Sequence, residues 1–176
     1  MKNHQYSFIK INKQRNQGLL IPKNVVYYLV IHFKLASLFH TTQLVDIFTY
    51  EFPNFSTQQS DKSVNNIVIY NFHSFLYQNR LFLFCNNTKF NIFKSKNNFP
   101  LNSITELFYS ANWLEKENSE LHGVNFLGKK DLRNLLLPYG DNSFPFQKSF
   151  PSLGLKEIFY DSIKDTLIQS NLNSQI

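Results

Sequence analysis

The side chains able to do chemistry in this 176-residue sequence are few, and their spacing limits what they can do. Glu115 and Glu117 sit two residues apart beside Trp113. Two carboxylates facing one gap would suit general acid–base work, but two helical positions at about 100° per residue turn them roughly 200° apart, so they do not share a face. Cys85 is the only cysteine, which leaves no internal disulfide, no CxxC zinc site and no cysteine-held iron–sulfur cluster. The five histidines, His4, His32, His40, His73 and His122, are dispersed without a ligand spacing, and His32 has no acidic or cysteine partner at a useful local offset. Neither phosphate-loop pattern (GxGxxG or GxxxxGK[ST]) occurs, nor does HExxH or a nucleophile elbow. The expectation is that no residue of this chain is catalytic, cofactor-binding or metal-ligating.

The elements around those residues carry more information. Ser110 stands where an N-cap belongs, 111–122 is free of Pro and Gly, and Gly123 suits the C′ position, where positive φ carries no Cβ penalty. On that helix Trp113, Glu117 and Leu121 fall on one stripe, with Glu115 away from it. This predicts that Trp113 fills an apolar pocket, while Arg133, two residues after Asp131, bridges Glu115 or Glu117 to the following turn. Pro138, Gly140, Pro145 and Pro151 then prevent a helix, yet Tyr139, Phe144, Phe146 and Phe150 are too apolar for a free linker. Those rings need a cover.

Upstream, residues 1–18 are basic and lack acids, with Phe8, Ile9 and Ile11 reading as short extended contacts. Residues 25–39 follow Pro22 and read as a helix burying Val25, Leu29, Phe33 and Ala36; the apolar run is far short of the ~20 residues a bilayer span needs. A strand is expected over 47–52, a polar loop over 54–66, and two strands over 67–76 and 81–85 joined by residues 77–80. The first of that pair is apolar on both faces, so one face meets the helix and the other requires a second helix or a neighbouring chain. Residues 89–98 are basic and aromatic, which reads as a charged sheet edge, with RNA stacking as the alternative. Ser103 and Glu106 have the spacing of a capping box. A net charge of +6 admits an acidic partner, an anionic membrane surface or nucleic acid. On these features alone the chain is a basic α/β domain that could stand free, act as an RNA or ribosomal protein, or serve within an assembly.

The stretch 110–151 narrows that choice, because it resembles the signature of the thirty-kilodalton subunit of respiratory complex I, the proton-pumping NADH:ubiquinone oxidoreductase, called subunit 9 in mitochondrial genomes. Members of that family typically read Ala-Asn-Trp-Tyr-Glu-Arg-Glu, then a Phe-Gly pair, then Gly-His-Pro-Asp-Leu-Arg-Arg-Ile-Leu, Tyr-Gly and His-Pro-Leu-Arg-Lys-Asp-Phe-Pro. Ala111, Asn112, Trp113, Glu115 and Glu117 match the first block and Gly123 the second; Gly128, Asp131, Leu132, Arg133 and Leu136 match the third. Tyr139, Gly140, Pro145, Lys148, Phe150 and Pro151 follow at the family spacing, and Gly154, Glu157, Tyr160 and Asp161 resemble the segment beyond. Several positions depart: Lys116 stands for the usual arginine, and Ser119, Glu120 and His122 occupy the Asp-(Met/Leu)-Phe region. Lys129 and Lys130 replace His-Pro, and Phe144, Gln147 and Ser149 replace histidine, arginine and aspartate. The backbone path is expected to survive these changes, and the family's salt bridges are not.

The resemblance implies an α/β (α+β) fold, a mixed β-sheet flanked by helices with an extended C-terminal tail. It divides the chain into a basic N-terminal extension (1–21), the family domain (22–137) and a tail (138–176) packing on a partner. It further implies a core structural subunit of the matrix arm that supports electron transfer from NADH to ubiquinone, with FMN and iron–sulfur clusters held by partner subunits. The implied partners are the forty-nine-kilodalton quinone-site subunit and other peripheral-arm subunits, with no nucleic acid and no transmembrane segment. The implied location is the matrix side of the mitochondrial inner membrane, and the signature residues are structural.

Overall fold

In the computed structural model the described residues are 7–10, 16–52, 64–89, 100–141 and 143–172. The polar loop expected over 54–66 and the basic stretch 89–98 therefore fall largely outside them. Strands β1 (Ser7–Lys10), β2 (Asn16–Pro22), β3 (Gln43–Phe52), β4 (Val64–Ser74) and β5 (Asn79–Lys89) form one mixed sheet in the order β1-β2-β5-β4-β3. β2 and β5 run parallel and the other pairs antiparallel. β4 and β5 are the expected hairpin, shifted so that residues 75–78 make its turn. The segment read as an N-terminal extension supplies β1 and most of β2, so its backbone joins the sheet.

Side-chain alternation decides which face is the core. Leu19 and Ile21 of β2, Ile47 of β3, Val68, Tyr70 and Phe72 of β4, and Leu81, Leu83 and Cys85 of β5 belong to one buried cluster. Helix α1 (Val26–Leu35) adds Val26, Val30 and Phe33 to it, a face one residue later in phase than the sequence reading at its first two positions. The cause is local: residues 23–25 form a 3-10 turn, and the α-helix proper starts at Val26 and ends where Ala36 turns extended. A short strand β6 (Leu101–Asn102) pairs in parallel with β7 (Phe126–Leu127), enclosing helix α2 (Ala111–His122) between them in sequence. Leu101, Ile104, Phe108, Ala111 and Val124 enter the same cluster, so both helices serve one face of the sheet. Leu20, Phe48 and Tyr50, one position out of phase with Leu19, Ile47 and Thr49, are exposed on the other face. Beyond the core, β8 (Lys156–Asp161) and β9 (Thr166–Asn171) make a separate antiparallel hairpin.

Candidate structural site: the α2 block

Helix α2 ends as its glycine dictates: Gly123 has φ 69° and its N–H donates to Ser119 O at 3.0 Å. Ser110 occupies the N-cap position but its side chain makes no capping hydrogen bond. The buried face is Ala111, Glu115 and Asn118, spaced i, i+4, i+7, together with Lys116, rather than the Trp113 stripe. Trp113 is 61% exposed, so within this chain it fills no pocket. The physical reason is that α2 docks through polar groups with named partners, which outweighs the apolar stripe in choosing the inward face.

Those partners are specific. Glu115 is fully buried, its Oε2 accepting from Ser103 Oγ at 2.7 Å and its Oε1 from the Ile104 N–H at 2.9 Å. Burial pushes its carboxyl above the usual range, against the hydrogen bonds from Ser103 and Ile104 and the nearby Lys129 cation. Burial likewise holds Lys129 below its ordinary value, with Glu115 opposing that shift. Because Ser103 is committed to Glu115 and Glu106 accepts from the Tyr27 hydroxyl at 3.3 Å, the capping-box pair does not form and residues 105–107 make only a turn. Asn118 donates to Ile47 O at 2.6 Å and to Leu114 O at 2.8 Å, and accepts from Thr49 Oγ1 at 2.8 Å. It thereby occupies a carbonyl of β3, an edge strand of the sheet.

The bridge from helix to turn is made by Lys116, not Arg133. Lys116 Nζ lies 2.6 Å from Asp131 Oδ2 with its own side chain almost buried, whereas Arg133 pairs with the same aspartate from an exposed position, Nε to Oδ1 at 3.0 Å. Together Arg133 first and Lys116 second hold the Asp131 carboxyl well below the usual carboxylate range. Arg133 turns Nε and Nη2 onto the two oxygens of Asp131, at 3.0 and 3.2 Å, rather than onto Glu115 or Glu117. One turn along the helix, Glu120 accepts the backbone N–H groups of Leu135, Leu136 (2.8 Å) and Leu137 (2.8 Å). Partial burial tends to raise its carboxyl, and these three donors with Lys116 reverse that and lower it. The departures from the family pattern thus carry the fastening: a lysine at 116 and a glutamate at 120.

The tail is fastened next. Phe146 N–H donates to Leu121 O at 3.0 Å, Gln147 Nε2 to His122 O at 3.0 Å, and the Lys148 N–H to Glu51 Oε2 at 2.7 Å. The Phe146 ring meets His122 edge-on at 5.4 Å, and Lys148 Nζ stands 5.7 Å from the centre of the Tyr50 ring. A Cβ added at Gly123 would stand 3.0 Å from Gln147 Nε2 and 3.2 Å from Phe144 Cδ1, so the same glycine that ends α2 admits the tail. Phe144, Pro145 and Phe150 are half-buried, while Tyr139 and Phe146 remain exposed. Of the other signature residues, Ala111 is buried, Asn112 and Glu117 half-buried, and Leu132 and Pro151 exposed; Gly128 (φ 81°) and Gly140 (φ 85°) take left-handed turns. Sequence reasoning missed the fastening roles of Ser103, Lys116, Asn118 and Glu120. The signal was present in the polar pair Glu115 and Asn118 at i, i+3 and in the opposite charges of Lys116 and Asp131, which hydrophobic periodicity does not weigh.

Among the described residues no group of three or more His, Cys, Asp or Glu side chains could hold a metal ion, and no helix is long and apolar enough to cross a membrane.

Comparison with known proteins gives consistent matches. Residues 21–155 match the family described as respiratory-chain NADH dehydrogenase, 30 Kd subunit. The chain is 32% identical over 164 residues to NADH-ubiquinone oxidoreductase subunit 9 of Acanthamoeba castellanii, covering 93% of this chain and 75% of that protein. It is 38% identical over 114 residues to the subunit 9 of Paramecium primaurelia, covering 64% of this chain and 50% of that protein. A mitochondrial NADH dehydrogenase [ubiquinone] iron-sulfur protein 3 of Candida albicans is 45% identical over 73 residues, 42% of this chain and 26% of that protein.

Proposed function

The chain belongs to the 30 Kd subunit family of respiratory-chain NADH dehydrogenase, and from that premise we propose that it is a cofactor-free scaffold of the peripheral arm of complex I, supporting electron transfer from NADH to ubiquinone. The observation that carries this reading is the division of labour within the α2 block. Inward, Glu115, Lys116, Asn118 and Glu120 each have a fixed partner; outward, Tyr109, Trp113, Leu132, Leu136 and Tyr139 stay exposed. Large aromatic and aliphatic side chains held outward on a cross-linked base suit a protein interface better than solvent. The quinone-site subunit of the same arm is the partner we assign to that surface, and the tail with its β8–β9 hairpin extends the same contact.

The name iron-sulfur protein 3 borne by the Candida relative raises the question of a cluster, and the donor set here does not fit one. Clusters are held by several thiolates; this sequence has Cys85 alone, fully buried in the sheet, with its thiol pushed up to about 12 by burial. FMN and the clusters therefore belong to partner subunits in this reading. The relatives' names support a mitochondrial location, and we place the chain on the matrix side of the inner membrane, held there by protein contacts.

The test uses the assembled enzyme. Trp113→Ala and Lys116→Met should lower the amount of this chain comigrating with the NADH dehydrogenase band on a mild-detergent native gel. Quinone-reductase turnover, normalised to iron–sulfur signal, should stay nearly unchanged in whatever assembles. Full assembly with turnover reduced by orders of magnitude would overturn the scaffold reading, as would comigration chiefly with ribosomes.

A further inference from the structure

A second feature shares no residue with the α2 block. Where the segment after α1 (residues 36–42) meets the β4–β5 turn, a cavity of about 100 Å³ opens, lined in part by Leu38, Thr41, Phe72, Ser74, Asn79 and Arg80. Its walls are laced together. The Tyr77 hydroxyl donates to Ser37 O at 3.0 Å, the Thr42 hydroxyl to His73 O at 3.4 Å, and the Phe75 N–H to Thr42 Oγ1 at 3.4 Å. Within this lined space Thr41 Oγ1, Ser74 Oγ and Asn79 Oδ1 are buried with no hydrogen-bond partner among the described residues. Thr41 and Ser74 are each only 4% exposed. Buried polar atoms are ordinarily paired, so three unpaired oxygens from three chain positions around one cavity point to a group that satisfies them.

The chemistry of the lining selects that group. Both hydroxyls can donate, the Asn79 amide can turn its NH₂ inward, and Arg80 brings a permanently charged fork of donors. Among the described residues no Asp or Glu lines the cavity. A set of donors around one cation, without a carboxylate, fits an oxyanion with several acceptor oxygens. We propose that this cavity is a phosphate site, taking either free phosphate or the phosphate of a lipid headgroup. The exposed Leu35, Leu38, Phe75 and Leu76, on or beside the two segments that form the lining, give the apolar remainder of an esterified phosphate a path out.

The experiment uses the full chain, labelled with ¹⁵N, and follows the Ser74 and Asn79 amides and the Arg80 side-chain Nε–H. One arm titrates inorganic phosphate against chloride at equal ionic strength; the other adds phosphatidylcholine vesicles with or without phosphatidic acid. Saturable shifts with phosphate but none specific to phosphatidic acid would identify a site for the soluble ion. Binding to phosphatidic acid vesicles that inorganic phosphate competes away would identify the headgroup. In either case Arg80→Leu should weaken binding about tenfold or more, and Thr41→Val, which keeps the side-chain shape, should weaken it several-fold while leaving the circular dichroism spectrum intact. Absence of saturation in both arms, as expected if ordered water alone fills the cavity, would overturn the proposal. So would binding that neither substitution weakens.

Discussion

At Glu115 a carboxylate sits in a core because both of its oxygens are occupied by donors fixed in the backbone path of residues 103–104. Glu115→Ala would leave the Ile104 N–H buried without an acceptor and the Ser103 hydroxyl with only Thr105 Oγ1 at 2.9 Å, at a cost of about 1–3 kcal/mol in urea unfolding. Glu115→Gln keeps an acceptor for Ile104 and offers a donor to Ser103, so it should cost far less. The pH dependence separates these effects by sign. The Glu115 carboxyl is raised above its ordinary value of 4.5, so its protonated form is favoured on folding. Below that value both states are protonated and the wild type loses nothing relative to the glutamine variant; as pH rises through the folded-state value, the wild type should lose stability relative to Glu115→Gln. Asp131 acts in the opposite direction. Its lowered carboxyl adds stability above its ordinary value of 3.8 that is lost as pH falls through the folded-state value. At Lys116 the nearly buried bridge makes Lys116→Met cost about 1–3 kcal/mol, and Arg133→Met on the exposed side of the same aspartate should cost clearly less. Chemical unfolding of the two variants checks that order, and Trp113→Ala should fall within about 0.5 kcal/mol of wild type in the free chain.

Helix α2 is where sequence and structure part most usefully. Its limits were legible because Gly123 is a strong local signal: a left-handed residue with a helix carbonyl waiting for its N–H. Its facing was not, since phase was inferred from Trp113 and Leu121, while the side chains that choose the phase are Glu115 and Asn118, whose partners Ile104 and Ile47 lie far back along the chain. The same holds for α1, where a single 3-10 turn shifted the start of the buried face by one residue. The β4–β5 hairpin was legible because apolar runs and an intervening polar turn are local signals. The parallel pairing of β2 with β5 was not, because no local signal encodes the contact of Asn16 with Arg80, two strands and a helix further on. Gly123 also couples elements. Gly123→Ala should cost at least about 1–2 kcal/mol from φ alone, before the contact with Phe144 and Gln147 is counted. Amide exchange should show the consequence at two places, the C-terminal turn of α2 and the Phe146 N–H that bonds to it. Slow exchange preserved at both would argue that the tail does not depend on that glycine.

Among the described residues, two further apolar surfaces stay exposed besides the outer side of the α2 block. The sheet face bearing Leu20, Phe48 and Tyr50 is exposed, and the β8–β9 hairpin exposes Ile158, Phe159, Tyr160 and Leu167 on both of its sides. Two strands alone are marginally stable in water, and β9, Thr166–Asn171, carries no charge or proline to protect its outer edge. The tail between the sheet and the hairpin behaves differently, since Phe146, Gln147 and Lys148 are hydrogen-bonded to Leu121, His122 and Glu51. Two truncations therefore separate folding from assembly. Ending the chain after Leu155 removes only the hairpin, so the melting of the remaining domain should shift by no more than about 0.5 kcal/mol equivalent, while the share of chain entering the complex falls sharply. Ending it before Pro138 removes the anchors on Glu51 and Leu121 as well, and should cost the domain about 1–3 kcal/mol in addition to assembly. Exchange at Ile158, Tyr160 and Leu167 should be fast in the free chain and strongly slowed in the complex. If the chain truncated after Leu155 assembles as well as the full chain, the hairpin is not part of the interface, and the exposed residues of α2 and the open sheet face must hold the subunit without it.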